Sequence, residues 1–166
     1  MAVGCADIWK ALNAAWDASD LGAKFKALWA DPADAKQIVL HDQEASSGQN
    51  YPYCVVDVLS PKTTTRMSGG SDRLREIREA QVTLNVHVEE VTGDSRSAKQ
   101  IAAYLAEELM KVFGGHPTVV ATASLTLDNG AALLIEYQTD YGVRIDDDEF
   151  NWVISYKIVV DVPVMA

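Results

Sequence analysis

The side chains of this 166-residue chain that could hold a metal or move a proton are few. They are His41, His87 and His116, the cysteines Cys5 and Cys54, and the acidic run Asp146-Asp147-Asp148-Glu149. The histidines occur singly on separate elements, with no carboxylate or cysteine at ligand spacing, so they read as solvated surface residues rather than metal ligands. The acidic run lacks the alternating ligands, central Gly and closing Glu of a calcium loop, and reads as a solvated turn ahead of a strand. Ser68-Gly69-Gly70-Ser71 is no phosphate loop, because the Lys that such a loop needs is missing. No Gly-x-Ser-x-Gly elbow occurs, and neither cysteine sits in a nucleophile context. Cys54 lies inside an apolar run, where a thiol acts as a small hydrophobe. These residues predict no catalytic, cofactor or metal site, and hence a protein that is not an enzyme.

Charge narrows the class further. The formal net charge is −10 and the sequence pI about 4.6, whereas a chain that grips phosphates needs clustered Lys and Arg. The basic cluster of Arg73, Arg75 and Arg78 is interleaved with Asp72, Glu76 and Glu79. No specific nucleic-acid binding is expected. No stretch approaches the roughly 18 apolar residues of a membrane span, and the N-terminus lacks the basic and apolar blocks of a signal peptide. With two free thiols expected, the location expected is a reducing cytosol.

The elements that would carry these residues are legible from periodicity. Hydrophobic residues make up 48% of the chain, enough for one domain spanning 1–166 with its own core. Residues 5–30 read as helical: Ile8, Leu12 and Trp16 recur every fourth position, and Leu21, Phe25 and Trp29 resume after a break at Ser19-Asp20. Strands are expected at Lys36–His41 and at Tyr51–Leu59, the latter apolar enough to be covered on both faces. Residues 61–79, rich in Thr, Gly and charge, read as a mobile loop. Gln81–Val91 alternates as a strand with Val82, Leu84, Val86 and Val88 on one face. Ser97 and Gln100 make a capping box ahead of a helix over Ala98–Phe113, whose stripe is Ile101, Tyr104, Leu105, Leu109, Val112 and Phe113, closed by Gly114-Gly115. Strands follow at Val119–Leu127 and Ala132–Asp140, joined by an Asp128-Asn129-Gly130 hairpin turn. The final strand alternates without a break from Trp152 to Val164, long enough to run past its own sheet. The fold class expected is α+β, a largely antiparallel (mixed) sheet with helices packed on one face.

In this order the elements resemble the tail terminator, or tail completion, proteins of long-tailed bacteriophages, including the lambda-type terminator. The stretches that carry the resemblance are Tyr51-Pro52-Tyr53-Cys54-Val55-Val56, the Gly-rich loop leading into Glu79-Ala80-Gln81-Val82-Thr83-Leu84-Asn85-Val86-His87-Val88, the helix Ala98–Phe113, and Trp152-Val153-Ile154-Ser155-Tyr156-Lys157-Ile158-Val159-Val160. Together they cover most of the chain. The resemblance implies a virion protein of the tail and neck, assembled in the host cytoplasm. It would form a homo-oligomer, a hexameric ring, that caps the tail tube protein, stops its elongation and meets the head–tail connector, with DNA passing through the lumen. Under that reading Arg66, Met67, Gly69, Gly70, Arg73, Arg75 and Arg78 form a candidate interaction loop. Asp146, Asp147, Asp148 and Glu149 form a candidate acidic lumen rim, since an acidic lining repels phosphate. The competing readings are another neck or tail component, such as a head-completion or tube protein, and a cytosolic small-molecule-binding domain. A deep apolar pocket with convergent polar groups would favour the last.

Overall fold

The computed structural model describes residues 4–42, 48–59, 62–69, 73–90, 94–119, 124–127 and 132–165. The helical start is two helices, α1 (Cys5–Asp17) and α2 (Leu21–Lys26). Ser19 makes the break between them: its Oγ donates to the Trp16 carbonyl at 2.6 Å and accepts from the Leu21 N–H at 3.2 Å. Short strand β1 (Leu40–His41) runs parallel to β2 (Tyr53–Val58). The strand expected from Lys36 is therefore only its last two residues. In β2, Tyr53, Cys54, Val55 and Val56 are all buried, Cys54 and Val56 in the core and Tyr53 and Val55 among the side chains of the sheet's other face.

The stretch expected as a loop, 61–79, is corrected by the backbone. Residues 62–69 form β3 (Lys62–Gly69), and 73–79 open the seventeen-residue β4 (Arg73–Glu89), paired antiparallel with it. Low apolar content was a poor guide because threonine, Leu74 and Ile77 suit strands, and because a third strand is available to pair. That strand is β7 (Glu149–Met165), which matches β4 residue for residue from Arg73↔Met165 to Glu89↔Glu149. The long final strand does run past the main sheet, and the start of β4 is what it runs along.

Helix α3 (Ala98–Phe113) has the expected cap: Ser97 Oγ accepts from the Gln100 N–H at 3.3 Å, and Gln100 Oε1 accepts from the Ser97 N–H at 3.0 Å. Gly114 and Gly115 terminate it at φ 117° and 99°, backbone that a Cβ disfavours. Ile101, Leu105, Leu109 and Phe113 are buried, whereas Tyr104 of the expected stripe is exposed. Short β5 (Ser124–Thr126) pairs antiparallel with β6 (Ala132–Arg144), and β6 with β7. The expected turn at 128–130 lies outside the described residues.

The fold is α+β: a seven-stranded mixed sheet in the order β1-β2-β4-β7-β6-β5, with β3 joining β4 beyond the end of β2. Only β1–β2 is parallel among the described pairs. The core lies between the helices and one face of the sheet. Ile8, Leu12, Trp16 and Phe25 meet Cys54, Val56, Leu84 and Val86, while Ile101, Leu105 and Leu109 share the same cluster with Ile154, Tyr156 and Ile158.

One buried charge ties the short helix to the long one. Glu108 of α3 accepts from Lys24 of α2 and, at 2.6 Å, from Lys111. Burial by itself would raise the Glu108 carboxyl, but the bonds from Lys111 and Lys24 outweigh it and hold the group below its ordinary range. The Lys24 ammonium is raised in turn, chiefly by its bond to Glu108. Stability from Glu108 is thus complete above about pH 4.5 and lost as pH falls through its lowered value, while that from Lys24 is lost only at strongly alkaline pH. Glu108→Gln should cost about 1–2 kcal/mol at neutral pH, less than breaking a fully buried pair because both lysines reach water. Urea unfolding from pH 7 to pH 3 should show a flatter acid loss in the variant; parallel curves would remove Glu108 from the acid response.

Candidate functional site

The helix-free face of the sheet is where side chains without a core role collect. Strand pairing places Tyr53, Val55 and Asp57 beside His87, Asn85 and Thr83, next to Asn151, Val153 and Ser155, and these beside Val143, Tyr141 and Thr139. At one end Tyr53 stacks on His87 (4.7 Å between centroids, 11°) and meets His41 edge-on. His87 Nδ1 lies 3.3 Å from Glu149 Oε1. His41 and His87 are therefore half-buried in an aromatic cluster, not solvated as the sequence implied; His116 is half-buried too and accepts from the Thr118 and Val119 N–H groups through Nδ1. Tyr51, Tyr53, Val55, Asn85, His87 and Glu149 line an open groove of about 500 Å³.

The acidic run forms the β6–β7 turn. Asp146 Oδ1 accepts from the Asp148 and Glu149 N–H groups at 2.9 and 2.8 Å, and Arg144 donates to the Asp146 and Asp147 carbonyls. The turn abuts the end of β4, where the Glu90 N–H donates to the Asp148 carbonyl. Desolvation first, then Glu149, Asp146 and Asp148, push the Glu89 carboxyl up. Asp146, Asp147 and Asp148 are exposed.

The candidate interaction residues sit toward the opposite end of β4, on that strand and on β3 beside it. Arg66, Met67 and Gly69 are on β3 and Arg73, Arg75 and Arg78 on β4, with Met67 opposite Arg75 and Gly69 opposite Arg73. Gly70 lies outside the described residues. The seventeen residues of β4 from Arg73 to Glu89 span about 55 Å, so the basic and acidic sets the sequence singled out are held far apart.

A third feature carried no sequence signal. β6 holds a bulge between Tyr137 and Thr139 that shifts its register on β7. Before it Leu133 and Ile135 face the helices; after it Asp140 and Gly142 do, opposite core residue Ile154 and half-buried Trp152. Asp140 is anchored there by the Tyr137 hydroxyl and by Trp152 Nε1 at 2.7 Å, and the bond to Asp140 helps push the Tyr137 phenol up to about 12. A Cβ on Gly142 would stand 2.7 Å from the Phe150 ring. Tyr141 and Val143 consequently turn to the open face, where they are 53% and 37% exposed, followed by Ile145 at 52%.

Neither Cys5 nor Cys54 is in a disulfide, and burial pushes Cys54 well above the usual thiol range. Among the described residues no group of three or more His, Cys, Asp and Glu side chains is placed to hold a metal ion, and no helix is long and apolar enough to cross a membrane. No protein-family model matches the chain, and no curated protein matches its sequence.

The bulge and Gly142 together set which way Tyr141 and Val143 point. Gly142→Ala should lower stability by about 1–3 kcal/mol, the cost of overpacking against Phe150 and Trp152. Thermal melts alongside Trp fluorescence would check it; an unchanged melting temperature would mean that the two rings yield freely.

Proposed function

We propose that this chain is a phage tail terminator, a structural virion subunit that closes into a ring on the end of a tail tube and offers its other surface to the head–tail connector. The single observation that carries the reading is the β3–β4–β7 extension: three paired strands continuing beyond the end of β2. A subunit whose central strands outrun the strand beside them has an extension to place against a neighbour, and different patches meeting head to tail close as rings when the rotation allows. The resemblance stated from the sequence supports the reading, less its loop before Glu79, which is β3 and the start of β4, and the acidic charge suits a ring through which DNA slides without being held.

Native mass spectrometry and negative-stain microscopy test this directly. A hexamer of the 18.1 kDa chain has a mass of about 109 kDa and should appear as a closed ring, on its own or once tail tubes are added. A stable dimer at every concentration, indifferent to tubes, would sink the reading, and open-ended stacks would favour a tube protein.

The place of the acidic turn in that ring is open to a separate test. Replacing Asp146, Asp147, Asp148 and Glu149 with Lys should change stability by only about 0.5 kcal/mol at Asp147 and at Asp148, and by about 1 kcal/mol each at Asp146, which gives up two bonds from turn N–H groups, and at Glu149, which gives up its contact with His87. With the turn on the lumen, the variant should cap tubes yet slow DNA passage, with the delay relieved by salt. Normal ejection with four lysines would remove this turn from the channel.

A further inference from the structure

We propose that the outer edge of β6 is the docking site for a second copy of this chain, whose β3 adds to it as a further strand. Three observations converge on that edge. β5 covers only Ala132–Leu134, so among the described residues β6 from Ile135 to Arg144 pairs with β7 alone. An unpaired edge is a template for another strand, and proteins ordinarily blunt such edges with lysine, proline or a bulge. Here the bulge lies at Gln138, and the run from Thr139 to Ile145 beyond it contains neither lysine nor proline. Along that run Tyr141, Val143 and Ile145 stand exposed, a concentration of apolar surface on a strand that has backbone groups to satisfy.

What fits the edge is written in the same chain. β3 is eight residues long and pairs on one side with β4, and among the described residues no strand pairs with its other side. It carries Lys62 and Arg66 and no acid, whereas β6 and its turn carry Glu136, Asp140, Asp146, Asp147, Asp148 and Glu149 against the single Arg144. Opposite charges on the two edges favour β3 against β6 and disfavour β6 against β6, which would bring two acidic strands side by side. The contact joins unlike patches, so an open chain of copies keeps one free β3 at one end and one free β6 at the other until it closes. The inference deepens the ring reading and relies on it for closure alone.

Hydrogen–deuterium exchange of the full chain, followed by mass spectrometry from dilute to millimolar protein, tests it. On association the amides of 62–69 and 139–145 should gain protection together. Tyr141→Lys with Val143→Lys should weaken association by about a hundredfold, the scale of losing two interface anchors, with the melting temperature of the dilute protein unchanged. Tyr141→Ser with Val143→Thr, milder on the strand, should weaken it in the same direction and serves if the lysine pair disturbs folding. A monomer at millimolar protein, or protection of β6 without β3, overturns the inference. A ring that protects neither edge overturns it and leaves the terminator reading standing. Protection of both edges in a complex that stops at a dimer upholds the edge contact and sinks the ring.

Discussion

The structure hangs on the pairing of β4 with β7. Seventeen consecutive residues of each strand are in register, with no irregularity between Arg73↔Met165 and Glu89↔Glu149. Because side chains alternate faces with a period of two, this unbroken register fixes the face of every residue along both strands at once. Ala80, Val82, Leu84, Val86 and Val88 on one strand and Phe150, Ile154, Tyr156, Ile158 and Val160 on the other are thereby committed to the helices. A slip of one residue would turn that whole set to water. The bulges fall elsewhere, in β3 and β6, where a shift of register redirects a strand without unseating the core.

The same pairing separates the charges. One end of the ribbon gathers Glu89, Glu90 and the turn at 146–149, and the other begins with β3 and the arginines of early β4. Paired strands are stiff, so the two ends cannot fold back to neutralise one another. A net charge of −10 therefore conceals a lengthwise gradient, and such a gradient orients like subunits head to tail during encounter. In the terminator reading the acidic groove near Tyr53 and His87 would belong to the end of the subunit away from its projecting strands.

Sequence patterning recovered the elements whose apolar residues keep one period throughout. The α3 boundaries follow from Ser97, Gln100 and the two glycines, and the alternation of Val82 to Val88 and of Trp152 to Val164 marked both central strands. It failed where stability comes from partners remote in the chain. Residues 62–79 have too little apolar surface to announce strands, yet early β4 forms because β7 supplies hydrogen bonds from eighty or more residues away, and β3 forms along β4. His41 and His87 looked solvated because nothing local shows that Tyr53 lies between them.

By itself the sequence determined the fold class, the capping of the long helix, the acidic balance and the composition of the two charged segments, because each depends on neighbours within about one turn or one strand. Only the tertiary structure decided where those segments stand and which face β6 presents. A bulge at Gln138 opposite β7 inverts the alternation that Leu133 and Ile135 begin, carrying Tyr141 and Val143 out of the core and Asp140 and Gly142 toward it. That inversion depends on Trp152 and Tyr137 anchoring Asp140, and on Phe150 and Trp152 filling the space over Gly142. Such contacts join residues across a strand pair, and a one-dimensional pattern with a period of two holds no record of where its own phase will change.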